Sequence, residues 1–242
     1  MSVTTPMTLL ITGANRGIGL EMTKQAAARG DKVIACARNV MEAPDLVALA
    51  KQNADITLLG LDVTAEVDMN QIAAGMTRKI DLLVCNAGVM DGYGGLESEE
   101  HSSNAIEAVL MTNVAGVFFT ARSFLPNLLA GNPQGNKTSM TGRIAVISSA
   151  MGSQARASSN APIYRASKAA ATNIARCLAV ELAPRGIAVG AYHPGWVRTD
   201  MGGPNADVSA EDSAAGLLKR FDALSLDNTG IYETYQGEVL PF

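Results

Sequence analysis

An α/β architecture, with a doubly wound parallel sheet and helices on both faces, is the fold this sequence predicts. Three observations carry it. Short apolar runs alternate with longer helical patterns along the chain, as strand–helix–strand crossovers require. Most of those short runs are almost continuously apolar, as expected of strands covered on both faces. The composition also allows a large core: of 242 residues, 48% are hydrophobic and 17% charged, which excludes a disordered chain.

Strands are expected at 7–12, 32–37, 56–61, 81–85, 143–148 and 187–192, and helices at 17–29, 43–52, 65–76, 104–130 and 162–183. Right-handed crossovers place those helices on both faces. Gly30 suits a left-handed cap after the first helix. Pro162 suits a helix first turn, where its missing N–H is not needed. Pro184 and Gly186 close that last helix. The stretch 131–142, rich in Gly, Asn, Pro, Ser and Thr, reads as a surface loop. No linker or internal repeat divides the chain, so one domain over 1–242 is expected.

Charge and composition exclude several functions. With 19 basic and 23 acidic residues the formal charge is −4, which argues against a nucleic-acid partner. The start of the chain lacks a basic flank, and apolar runs such as 114–119 are too short to span a membrane. Cys36, Cys85 and Cys177 are dispersed in apolar company and read as buried thiols. With His101 and His193 far from any Cys cluster, no metal site is expected. A soluble, cytoplasmic location is the default expectation.

The strongest local signal is Thr12-Gly13-Ala14-Asn15-Arg16-Gly17-Ile18-Gly19. It follows a strand and opens a helix. Glycines there allow a tight turn and close approach of a pyrophosphate, and the helix N-terminus offers free N–H groups. About twenty residues on, dinucleotide folds that prefer NAD carry an acid for the ribose 2′-hydroxyl. Here Arg38 stands at that strand end, and Arg16 lies within the glycine turn. Two guanidiniums suit a 2′-phosphate, so NADP(H) is favoured over NAD(H).

A second cluster is Tyr164-Arg165-Ala166-Ser167-Lys168. Its Tyr and Lys share one helix face. A free phenol has a pKa near ~10, and a neighbouring ammonium favours the phenolate. Such a pair can exchange a proton with a carbonyl or alcohol oxygen. Alone, the pair is more often a surface contact.

Together these motifs resemble the short-chain dehydrogenase/reductase family in its compact, single-domain Rossmann form. The turn at 12–19 matches, as do Asn86-Ala87-Gly88, the four residues Asn113, Ser149, Tyr164 and Lys168, and Pro194-Gly195 followed by Thr199. The motifs keep the family's order across nearly the whole chain. A finer resemblance, to the C-factor/sniffer-like carbonyl reductases, rests on 151–163, on Trp196-Val197-Arg198-Thr199-Asp200-Met201-Gly202-Gly203 and on 237–242.

The resemblance implies roles. Tyr164 is the general acid/base, Lys168 lowers its pKa and holds the nicotinamide ribose, Ser149 orients the substrate oxygen, and Asn113 supports a water in a proton relay. Gly13, Asn15, Arg16, Gly17, Ile18 and Gly19 line the pyrophosphate. Asp62 and Val63 meet the adenine, Asn86, Ala87 and Gly88 line the cofactor, and Pro194, Gly195, Val197 and Thr199 close over it. A small carbonyl or alcohol substrate, a homodimer or homotetramer, and a substrate lid at 200–212 are implied likewise. The interval from Ser149 to Tyr164 is longer than the family usually has, and Ser148 is the neighbouring alternative. His193 reads as a packing residue, His101 as solvated, and 91–95 as a glycine-rich loop near the cleft.

Overall fold

The computed structural model describes residues 6–130 and 140–242, so most of the loop expected at 131–142 lies outside the described residues. Seven strands form one parallel sheet in the order β3-β2-β1-β4-β5-β6-β7. They are β1 (Thr8–Thr12), β2 (Lys32–Ala37), β3 (Ile56–Gly60), β4 (Leu82–Cys85), β5 (Gly142–Ile147), β6 (Ile187–His193) and β7 (Tyr232–Thr234). Strand order reverses between β1 and β4, which opens a crevice beyond their C-terminal ends, the place where such sheets bind ligands.

Side chains alternate across the sheet and define two cores. Leu9, Ile11, Val33 and Ala35 pack under α1 (Gly17–Ala28), α2 (Pro44–Gln52) and α8 (Ala210–Ala223). Leu10, Ile34, Leu83 and Val146 pack under α3 (Glu66–Gly75), α5 (Gly116–Ser123), α6 (Leu125–Leu129) and α7 (Pro162–Leu182). The expected caps form: Gly30 is left-handed at φ 93° and Gly186 at φ 80°, and Pro162 opens α7.

Four expectations change. The helix expected at 104–130 is divided. Its first part, α4 (Ser103–Leu110), passes through a π-turn at Met111–Ala115 into α5, and α6 follows beyond Phe124. Pro126 cannot donate a helical N–H and so begins a new helix. The run Ser103–Ser123 is also longer than the sequence reading allowed: by length and composition it could cross a membrane. Here it lies on the sheet, burying Val109, Asn113, Val117, Thr120 and Ala121.

Helix α8 and strand β7 were not expected. Ser209 caps α8, accepting from the Asp212 N–H at 2.9 Å, so 210–212 of the expected lid form a helix turn. Strand β7 is only three residues long and carries Glu233, buried but held by Arg220 at 2.8 and 3.1 Å. Cys36 and Cys85 are buried, whereas Cys177 is exposed. In an alanine-rich helix such as α7, an outward thiol has the same neighbours in sequence as an inward one.

Candidate active site

The glycine turn is built by mutual contact. Gly13 and Gly17 take left-handed φ of 65° and 54°, open to glycine at little cost. A side chain on Gly19 would overlap the Gly13 carbonyl oxygen, and one on Gly13 would meet the Ala87 Cα at 2.9 Å. Asn86 fastens the turn to β4: its Nδ2 donates to the carbonyls of Thr12 (2.9 Å) and Gly13 (3.1 Å). Thr12 Oγ1 accepts from the N–H groups of Asn86 and Ala87, both at 3.0 Å. Arg16 precedes α1 in an extended conformation and no side chain caps the helix, which leaves the first N–H groups of α1 available to an anion. Asn15 is exposed, while Ile18 packs on the core.

The two arginines behave differently. Arg38 is exposed at the end of β2 and makes no ion pair among the described residues. Arg16 Nη1 pairs with Asp200 Oδ2 at 2.6 Å. The sequence reading missed this partner, because it lies beyond Thr199 in a segment that folds back onto the turn. A side chain on Gly17 would meet Thr199 Cγ2 at 3.1 Å. Asp62 Oδ1 accepts from Thr64 N (2.9 Å) and Oγ1 (2.8 Å), and Val63 buries its side chain beneath Gly116.

Beyond β6 the chain is held as a compact segment. Gly195 is left-handed at φ 90°, and the Pro194 carbonyl accepts from Ser213 Oγ at 2.7 Å. Val197 is buried and bridges to Val208. Thr199 Oγ1 accepts from the Gly202 N–H at 3.2 Å.

The second group assembles where β5 ends and α7 begins. Ser149, Tyr164 and Lys168 are 6%, 8% and 5% exposed, so all three are withdrawn from bulk water. Two short 3-10 turns, Ala150–Gly152 and Gln154–Arg156, absorb the long interval between Ser149 and Tyr164. Ala161, left-handed at φ 47°, then turns the chain into α7. Ser148 and Ser149 divide their tasks. Ser148 Oγ is hydrogen-bonded to the Lys168 carbonyl at 3.0 Å and to Thr172 Oγ1 at 2.6 Å, which commits it to packing. Ser149 Oγ accepts a Met151 N–H at 3.2 Å and has its own proton to direct at the Tyr164 phenol.

Burial decides the protonation states. It pushes the Tyr164 phenol up to about 12, against an opposing hydrogen bond to the Ser149 side chain. It pushes the Lys168 ammonium down to about 8. The expected lowering of Tyr164 by Lys168 is absent here: Lys168 Nζ donates to the Ile147 carbonyl at 2.9 Å and stands 5.7 Å from the phenol ring centre. Gly88 lies beside Lys168 Nζ, and a side chain there would meet it at 3.3 Å.

Asn113 sits on the π-turn, 1% exposed. Its amide accepts from Val89 N at 2.9 Å and donates to Val89 O at 2.8 Å and Ser167 Oγ at 3.0 Å. The side chain therefore ties the segment after β4 to α7. His193 is brought down to about 4 by burial and by nearby Arg156, so it is neutral. His101 is not solvated: its side chain is 8% exposed and lies against Asp91.

A crevice at the C-terminal ends of the central strands, with a glycine cradle on one side and a buried Ser–Tyr–Lys group on the other, defines a dinucleotide-dependent oxidoreductase fold. The family model for short chain dehydrogenase matches residues 7–209, and the chain belongs to the short-chain dehydrogenase/reductase family, whose members act on carbonyl and alcohol groups. C-signal of Myxococcus xanthus is 34% identical over 167 residues, 69% of this chain and 95% of that protein. Among solved structures, NADPH-bound carbonyl reductase from chicken fatty liver superposes with a TM-score of 0.88 at 29% identity, covering 99% of this chain and 100% of that one. Carbonyl reductase Sniffer of D. melanogaster gives a TM-score of 0.90 at 26% identity, covering 98% and 100%.

Proposed function

We propose that this chain is an NADPH-dependent carbonyl reductase with Tyr164 as its general acid/base. The observation that carries the reading is the convergence of Ser149, Tyr164 and Lys168, buried together at one end of the sheet beside the glycine cradle. A bound nicotinamide dinucleotide supplies the hydride for the carbonyl carbon. The chain's residues supply the rest. Ser149 and Tyr164 donate hydrogen bonds to the carbonyl oxygen, where negative charge develops. The Tyr164 proton passes to that oxygen. A phenol pushed up to about 12 holds its proton at neutral pH, which suits the reductive direction. Below about 8 the Lys168 ammonium is charged and stabilises the phenolate left behind. Asn113 spends its side chain on Val89 and Ser167, so its part in a relay falls to its backbone carbonyl, which the π-turn can free for water.

The residues present fit a dinucleotide. The 12–19 turn and the α1 N-terminus take the pyrophosphate, Asp62 and Val63 the adenine, Asn86, Ala87 and Gly88 the middle, and Pro194, Gly195, Val197 and Thr199 the nicotinamide side. Arg38, free of ion pairs among the described residues, takes the 2′-phosphate. The NADPH-bound chicken enzyme supports the same preference. Residues 200–209 act as the lid of a single domain. Exposed Leu110, Phe118 and Val180 on the α4, α5 and α7 surfaces support a homodimer or homotetramer, which light scattering reads directly, and a cytoplasmic location goes with the same reading.

The likeness to C-signal supports one other reading, a dinucleotide-binding signalling module with little turnover. A panel of aldehydes, ketones and quinones, followed by oxidation of NADPH and of NADH, separates the two. Turnover with NADPH favoured is the expected result. Tight NADPH binding with no carbonyl reduced would leave the module.

A further inference from the structure

The loop from Asp91 to His101 closes one side of the cleft. Tyr93 Oη donates to the Met201 carbonyl at 3.3 Å, and the phenol lies near enough to Tyr164 to raise its pKa slightly. The Ala161 N–H, at the strained entry to α7, donates to the carbonyls of Tyr93 (3.3 Å) and Gly94 (3.0 Å). The loop is thus fastened to the catalytic helix three residues before Tyr164.

His101 holds this loop together. Its Nδ1 lies 2.5 Å from Asp91 Oδ2 and its Nε2 lies 3.0 Å from the Gly94 carbonyl oxygen. A carbonyl oxygen and an ionised carboxylate can only accept, so satisfying both requires N–H on both ring nitrogens. The Asp91 side chain is fully buried, and its Oδ1 has no partner among the described residues. Its charge is therefore compensated from one side only, where a cation is needed. Those hydrogen bonds raise the His101 pKa, and Glu100 adds to the effect. Of the other segments against the loop, 159–161 has no titratable side chain, the Met201 segment brings Asp200, which is paired with Arg16, and Arg165 turns away to Asn160 and to the carbonyls of Met151 and Arg156.

We propose that His101 is an imidazolium positioning residue, clamping the 91–101 loop against the start of α7 so that the carbonyl side of the cleft is preformed. The kinetic part rests on the carbonyl-reductase reading; the protonation part does not.

The first test is an NMR titration of the wild-type protein, whose two histidines should move in opposite directions. His193 is expected near 4, and His101 above the ordinary ~6.5. A His101 value at or below ordinary overturns the proposal, even if His101 variants fail to fold. The second test is His101→Gln, with menadione as carbonyl probe. Loss of one hydrogen bond should raise the menadione KM about fivefold, with kcat and the NADPH KM within about twofold. In wild type the menadione KM should climb as pH passes the measured His101 pKa, because one N–H is lost; in the variant it should be flat over that range. An unchanged menadione KM, or equal losses in all three constants, overturns the clamp. If wild type reduces no carbonyl at all, the function reading falls while the titration still judges the imidazolium.

Discussion

The two halves of the cleft are built on opposite plans. At the β5–α7 end, Ser149, Tyr164 and Lys168 are nearly inaccessible, and Lys168 is held by the Ile147 carbonyl of β5 and Ser149 by the turn that follows it. At the β1–β2 end, the glycine turn is rigid, but the charged groups around it, Arg16, Arg38 and Asp200, stand in solvent. The difference follows from what each half must do. Proton transfer depends on pKa values that only a dry, fixed setting can shift. Recognition of a mobile phosphate needs strong charge at the surface, and the ligand itself can order it.

Breaking the buried half should cost most. Tyr164→Phe removes the proton donor and keeps the ring, so kcat should fall by about a thousandfold while NADPH binding, followed by fluorescence titration, stays close to wild type. Retained turnover would remove Tyr164 from its role. The exposed half should respond in affinity. Arg38→Asp replaces a guanidinium with a like charge to the 2′-phosphate, and the NADPH KM should rise between about tenfold and a hundredfold, at nearly constant kcat. An unchanged ratio of NADPH to NADH efficiency would shift the phosphate site elsewhere.

A gentler probe of the buried half is pH. Lys168 is depressed to about 8, so its charge is present below that value and lost above it. Reductive kcat should therefore decline with an apparent pKa near 8, a limb that Lys168→Met eliminates along with most activity. The sign for stability is opposite. Between about 8 and the unfolded lysine value near ~10.4, the unfolded lysine binds more protons than the folded one, so the Lys168 contribution to stability rises with pH over that window, while Cys36 and Cys85, whose thiols burial pushes up, contribute with the opposite sign above the free thiol value near ~8.5. Chemical denaturation of wild type and of Lys168→Met at several pH values would isolate the lysine's slope as the difference between the two.

The smallest effect belongs to the Arg16–Asp200 pair. Both members are largely exposed, and such pairs contribute about 0–1 kcal/mol. Asp200→Asn should leave stability almost unaltered and lower the NADPH KM by at most a few-fold, because Arg16 is released toward the phosphate. A rise instead would show that Asp200 presents Arg16 to the ligand.

What the sequence made legible follows the same division. Six strands could be read because continuous apolar runs have one meaning in a sheet covered on both faces. Strand β7 could not, because three residues including a buried glutamate carry no such run; its glutamate is admissible only through Arg220, contributed by α8. Helix α8 was obscured by its polar start, although Ser209 followed by Glu211 and Asp212, then Leu217, Leu218 and Phe221, is a cap and an apolar face. Positions 164 and 168 were legible as a pair because one helix face places them together, and position 149 was legible through the family resemblance, which chose it over Ser148. Arg16–Asp200 and His101–Asp91 were not, since each depends on how a loop folds back, which periodicity does not record. The π-turn left only a faint trace, a Thr112-Asn113 pair within an apolar helix.

One contact gives the site an order of construction. Tyr232, on β7, donates its hydroxyl to the Ser149 carbonyl at 2.5 Å, across 83 positions of sequence. The glycine turn is complete once β4 has supplied Asn86, early in the chain. The Ser149 carbonyl, already bonded locally by the Gly152 N–H at 2.8 Å, gains its long-range partner when the far edge of the sheet arrives. During synthesis, the nucleotide cradle can thus form before this support of the proton-transfer group is in place, because Tyr232 follows Asn86 by a long stretch of chain.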